Sequence, residues 1–208
     1  MKLSIISDNP YGQNIYVYYN EETREGVIID ASDSLETVKH LVVDNALKIK
    51  AVLLTHGHFD HIFRAKEICK FIDAPLYAHE DEAALLQSPE MNRSDYRGLN
   101  ITARPDKLFR DGDVFDVGGV SLKVIHTPGH TAGGVCYYDA ANGVIFTGDT
   151  LFRETIGRTD MPTGDHATLV KSINEKLFIL PDEVTVYPGH GEASTIGHEK
   201  KNNTAMGV

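Results

Sequence analysis

The run Thr55-His56-Gly57-His58-Phe59-Asp60-His61 constrains this chain more than any other stretch, because three imidazoles and a carboxylate fall within six residues. An apolar run, Ala51-Val52-Leu53-Leu54, precedes it, and a helix-like pattern from Ile62 to Ile72 follows. The segment therefore sits where a buried strand hands over to a helix. Residues two apart on an extended chain face the same way, which aims His56 and His58 at a common point. Asp60 and His61 come as the chain turns, so this pair is expected to reach a neighbouring position. Gly57 fits a close backbone approach. The plainer alternative is a surface histidine cluster with Asp60 capping the helix. The strand-then-helix context favours metal ligation.

The chain has 208 residues, 41% hydrophobic and 24% charged, which suits one domain, residues 1–208, with a substantial core. Its net charge of −10 argues against nucleic acid as a partner, since phosphate binding needs a Lys/Arg surface. The two cysteines, Cys69 and Cys136, are expected to be buried reduced thiols. The first apolar run ends at Asp8-Asn9-Pro10, too soon for a secretory signal. No stretch approaches the ~18 apolar residues of a membrane span. A cytoplasmic protein with no membrane partner is the expectation.

Strands are predicted at 2–7, 14–19, 27–29, 75–78 and 184–187, and hairpins at 114–117/120–125 and 135–138/144–146. Helices are predicted over 35–42 with Ser34 as cap, 80–86, 169–177 ending at Pro181, and 194–201. Residues 87–112 and 148–165 read as long polar loops, a type often functional. Strands followed by helices, twice over, predict two β-sheets packed face to face with helices outside.

Three later sites share one form: Thr127-Pro128-Gly129-His130, Thr147-Gly148-Asp149 and Tyr187-Pro188-Gly189-His190 each follow a strand and present a donor beside glycine. With the first cluster they bring the count to five histidines and two aspartates. That is too many for one tetrahedral zinc and suits two metals. His56, His58 and His130 would hold the first, and Asp60, His61 and His190 the second. Asp149 could bridge them. Two divalent metals ~3.5–4 Å apart lower a shared water's pKa toward ~7 and polarise a carbonyl. Asp60 is the residue expected to orient that nucleophile. Zinc is the expected metal, with iron and manganese compatible with the same donors.

These residues, in this order, resemble the metallo-β-lactamase superfamily over nearly the whole chain. The resemblance implies an α/β fold, an αββα four-layer sandwich with metals at one edge, and a bridging role for Asp149. The finer likeness is to short glyoxalase II-like hydrolases, carried by Gly148-Asp149-Thr150-Leu151-Phe152, Ile156-Gly157-Arg158-Thr159-Asp160 and Ile196-Gly197-His198-Glu199-Lys200. It implies cleavage of S-D-lactoylglutathione or a related small acyl-thiol by a metal-bound hydroxide. The chain ends about 18 residues after His190, so the C-terminal helical domain of longer members is expected to be absent. Arg158-Thr159-Asp160 stands where those members carry Lys-Phe-Tyr, and Asp30-Ala31-Ser32 replaces Asp-Pro-Gly. Arg158 is a candidate substrate-carboxylate partner, with a loop-stabilising ion pair as the alternative. Two other activities resemble this pattern: persulfide dioxygenase, with one iron on His56, His130 and Asp149, and lactonase. The lack of a visible secretion signal weighs against a β-lactamase.

Overall fold

A computed structural model describes residues 1–207. Its first half alternates β1 (Lys2–Ile6), β2 (Ile15–Tyr19), β3 (Glu25–Ile29), α1 (Leu35–Asp44), β4 (Lys48–Leu53), α2 (Phe59–Ile62), α3 (Ala65–Ile72), β5 (Leu76–His79), α4 (Ala83–Gln87) and β6 (Lys107–Phe109). The second half holds β7 (Val114–Val117), β8 (Val120–His126), β9 (Val135–Asp139), β10 (Val144–Gly148), β11 (Leu151–Phe152), β12 (Thr155–Ile156), α5 (His166–Ser172), β13 (Thr185–Pro188), β14 (Ser194–Thr195) and α6 (Ile196–Asn202). One six-stranded sheet runs β1-β2-β3-β4-β5-β6, and a second runs β14-β13-β10-β9-β8-β7.

Period-two side-chain alternation builds the layers. Along β2, Ile15, Val17 and Tyr19 join the apolar cluster under the first helices, while Tyr16 and Tyr18 join the cluster between the sheets. On the second sheet, Val135 and Tyr137 face inward, and Cys136 faces the cluster that Leu169, Ile173 and Leu177 complete from outside. The result is the expected αββα sandwich. No helix among the described residues is long and apolar enough to cross a membrane.

Several details depart from the sequence expectation. The helix predicted over 62–72 is broken after Ile62, because the His61 carbonyl and Arg64 N–H both bond to Ala31, at 2.7 and 2.8 Å. The polar stretch 87–112 conceals β6, which extends the first sheet parallel to β5. Ser34 sits at the start of α1, but its hydroxyl donates to the Asp8 carbonyl at 3.0 Å instead of capping the helix. The helix predicted over 169–177 closes in a π-turn from Ile173 to Leu177. Cys69 is half-buried, not buried, and both cysteines are unpaired.

Candidate metal centre

In the second sheet β8 and β10 each pair antiparallel with β9, and β10 pairs parallel with β13. The strands β8, β10 and β13 therefore run the same way. Their C-terminal ends deliver His130, Asp149 and His190 to one edge of the sandwich. β4 of the first sheet delivers residues 56–61 to that edge. Crossing bonds hold the two sheets in register there: Val135 N–H to the Thr55 carbonyl at 2.9 Å, and Asn14 N–H to the Gly189 carbonyl at 2.7 Å. Two glycines make the approach possible. A Cβ at Gly57 would lie 2.8 Å from Leu85 Cδ2, and one at Gly189 would overlap Asp149 Oδ1 and His61 Cε1.

All seven predicted donors converge, in overlapping groups whose donor atoms lie within 4.8 Å of one another. In the first group His130 Nε2 stands 2.9 Å from His58 Nδ1 and 3.3 Å from His56 Nε2. In the second, His190 Nε2 stands 3.3 Å from His61 Nε2 and 3.2 Å from Asp60 Oδ2. Asp149 lies between them, with Oδ1 3.3 Å from His61 Nε2 and Oδ2 3.6 Å from His130 Nε2. Asp60 does not cap α2: His58 occupies the cap position, and the Asp60 carboxylate turns toward His190.

The outer ring nitrogens explain how the donors are aimed. His61 Nδ1 donates to Asp30 Oδ2 at 2.8 Å, His130 Nδ1 to the Arg158 carbonyl at 2.7 Å, and His190 Nδ1 to the Gly12 carbonyl at 3.2 Å. An acceptor at Nδ1 holds a proton there, so that Nε2 is the nitrogen turned to the centre and the one a metal would claim. His56 Nδ1 faces the Thr55 hydroxyl, which itself donates to Asp30. His58 is reversed, with Nδ1 facing the centre.

Asp30 and Glu82 are functional residues that sequence reasoning missed. Asp30 accepts from Thr55 N–H, the Thr55 hydroxyl and His61, and it sits at a left-handed φ of 61°. An acid ending the apolar strand Val27-Ile28-Ile29 was the available signal. Buried Glu82 accepts from Gly57 N–H at 2.9 Å and Gly133 N–H at 2.8 Å, tying the first metal-binding segment to the His130 loop. Nothing in the acidic run Glu80-Asp81-Glu82 marks it out.

The two groups differ in charge. Burial lowers His56 and His130, and it lowers His58 to about 3, so that cluster is neutral. Burial also opposes charge on His61, but Asp149, Asp30 and Asp60 outweigh it and push His61 well above the usual imidazole range. His190 is raised against its burial by the Asp60 hydrogen bond and Asp149. Burial would raise Asp149 and Asp60, but His61 beside each holds both below the usual carboxylate range.

The donor set fits divalent metal. Tetrahedral zinc with Zn–N bonds of about 2.0–2.1 Å places its nitrogens about 3.3 Å apart, close to the spacing here. Asp149 Oδ1 is buried with no well-directed hydrogen bond, and its neighbour at 3.3 Å, His61 Nε2, is itself a nitrogen that a metal would claim, so a divalent cation would serve both. Arg158 forks onto Asp160 with two bonds of 2.7 Å and also lines both cavities at the centre, while its carbonyl orients His130. Of the histidines left unassigned, His79 stacks on His126 with centroids 4.0 Å apart, and His198 bonds Glu154 at 2.9 Å.

The model of the metallo-β-lactamase superfamily matches residues 8–190. A curated relative, hydroxyacylglutathione hydrolase GloC of Haemophilus influenzae, is 34% identical over 206 residues, 98% of this chain and 97% of the relative. The crystal structure of BLEG-1, a B3 metallo-β-lactamase, is 37% identical with a TM-score of 0.94 and covers 100% of both chains. TTHA1623, solved in a di-iron-bound form, is 33% identical with a TM-score of 0.85, covering 96% of this chain and 98% of that one. With donors, fold and family model in agreement, this chain belongs to the metallo-β-lactamase superfamily of metal-dependent hydrolases.

Proposed function

We propose that the protein hydrolyses acyl-thioesters, S-D-lactoylglutathione or a related acyl-thiol, with a pair of divalent cations. The observation that carries this reading is the Asp149 carboxylate, which faces both donor groups from between them. The likeness to a hydroxyacylglutathione hydrolase supports the substrate class. His56, His58 and His130 would hold one cation, Asp60, His61 and His190 the other, and Asp149 both. Divalent cations so paired supply a water acidified from about 15.7 toward ~7 and a Lewis acid for the carbonyl oxygen.

The chain's own residues then orient and exclude. Asp60, at 17% side-chain exposure beside His190, is the acceptor that orients the attacking water's proton. Attack forms the C–O bond, the C–S bond breaks, and the thiolate leaves to take a proton. No protein nucleophile is required. Neither cysteine lines the two cavities at the centre, and burial pushes the thiol of Cys136 up to about 11 and that of Cys69 to about 12. A cavity of about 490 Å³ beside Asp149 and His190, walled by Phe152 and Ile156, suits an acyl chain. Zinc is the metal we assign, with iron as the second choice given the di-iron form of TTHA1623. Two unpaired cysteines fit a reducing cytoplasm. Residues 1–208 are read as one domain.

The test assays the metal-loaded protein on S-D-lactoylglutathione by free-thiol release, on glutathione persulfide by oxygen uptake, and on a chromogenic cephalosporin. Thiol release without oxygen uptake is expected. Oxygen uptake with one iron per chain would replace this reading with a dioxygenase. The likeness to BLEG-1 favours β-lactam hydrolysis as the second reading. Cephalosporin turnover exceeding thioester turnover would select it.

A further inference from the structure

The polar stretch between α4 and β6 is a built element. The Asn92 carbonyl accepts from Phe59 N–H at 3.0 Å, which staples the stretch directly to the metal-binding segment. The Asn92 amide donates to the Ile101 carbonyl at 2.8 Å, and the Ser94 hydroxyl accepts from Ile101 N–H at 3.2 Å. Asn92 and Ser94 are both fully buried. Arg93, between them, is held at a left-handed φ of 69° and is half-buried. Its guanidinium lies 5.1 Å over the Tyr96 ring, and Arg97 ends the short turn Asp95–Arg97.

Both arginines line a cavity of about 340 Å³ whose floor includes His58, Asp60, His130 and Asp149. Arg158 lines it as well, so three arginines share this cavity with two carboxylates, Asp60 and Asp149, in a chain of net charge −10. Arg64, Arg110, Arg153 and Arg158 all have carboxylate partners. Arg24, Arg93, Arg97 and Arg104 form no ion pair among the described residues, and of these only Arg93 and Arg97 line the cavity. Asp160, which feels Arg93 weakly, is already gripped by Arg158. Two unpaired guanidiniums on a pinned loop, facing a metal-donor cluster, match the geometry of carboxylate recognition.

We propose that Arg93 and Arg97 form an anion-reading jaw that selects acyl-thiols bearing a carboxylate. This rests on the thioester reading above and adds the residues that set its specificity. The apolar cavity of Phe152 and Ile156, on the other side of Asp149, would take the uncharged end of the same molecule.

The experiment compares wild type, Arg97→Gln and Arg93→Gln/Arg97→Gln, each checked for metal content and thermal unfolding. The thioesters are S-acetylglutathione, with carboxylates on the thiol; S-succinyl-N-acetylcysteamine, with one on the acyl group; and S-acetyl-N-acetylcysteamine, with none. The readout is the ratio of kcat/KM between charged and uncharged substrates. It is expected to fall about tenfold in the double variant, mostly through KM, for one charged substrate or the other, which locates the carboxylate. Arg97→Lys should recover part of it. An unchanged ratio for both charged substrates overturns the proposal. A binding arm uses the thioether S-methylglutathione and its dimethyl ester. Wild type should prefer the acid, or else the acid of 4-(2-acetamidoethylthio)butanoate over its methyl ester, and the double variant should lose that preference; equal binding within both pairs by wild type overturns the jaw. If no thioester is cleaved, the catalytic reading fails, and the binding arm still decides the recognition.

Discussion

The two donor groups share one edge of one fold, yet they are made differently. His56, His58 and His130 form a buried, uncharged trio from which burial has driven the protons. Asp60, His61 and His190 mix carboxylates with imidazoles, and those imidazoles hold their protons more tightly than usual. The difference comes from the carboxylates: Asp149, Asp30 and Asp60 outweigh burial at His61, and Asp60 and Asp149 do so at His190, whereas burial dominates in the trio. One group presents lone pairs ready for a cation. The other must exchange protons for it. A pair of metal sites can thus be tuned separately by the carboxylates around the imidazoles.

The largest effect tests what joins them. Asp149→Ala touches both groups and His58→Ala only the first. Both should drop thioester hydrolysis to background with far-UV circular dichroism unchanged, but only Asp149→Ala should weaken metal binding in both groups. Wild-type turnover in either variant would refute the paired arrangement. Asp30→Asn should reduce activity about 10–100-fold by loosening His61, with calorimetry finding the loss in the Asp60, His61 and His190 site alone.

The pH dependence of the metal-free protein separates the groups further. His58 titrates near 3 in the fold against 6.5 for a free imidazole. Its contribution is present above 6.5 and lost as pH falls toward 3, with a slope of at most about 1.4 kcal/mol per pH unit. His61 is raised, so its contribution is full below 6.5 and lost as pH rises through its elevated value. Melting temperatures of chelated protein across pH should show both limbs. His58→Asn should flatten the acid limb and His61→Asn the alkaline one. The smallest effect belongs to Glu82→Gln, which keeps one acceptor for the Gly57 and Gly133 N–H groups and costs about 1–3 kcal/mol in urea unfolding.

Much of this was legible before any coordinates. The β-branched and aromatic residues of 14–19 announced a strand, and Ile15–Tyr19 is one; its burial on both faces came only with the fold. Donor density in His56–His61, and turns presenting His130, Asp149 and His190, announced the centre. The rest was hidden because it depends on contacts distant in sequence. The break after Ile62 arises from Ala31 capturing backbone groups that a helix would have used. β6 is three residues long with Leu108 exposed, too short for periodicity. Asp30 bonds Thr55 and His61, and Glu82 bonds Gly57 and Gly133, partners 25 to 51 positions away that leave no local pattern.

The most direct measurement is a metal titration of metal-free protein, with bound metal, released protons and thioester turnover read at each step. Two equivalents should bind, the first with few protons released and the second with more, and turnover should rise with the second. Full turnover without metal, or saturation at a single equivalent, would contradict the account.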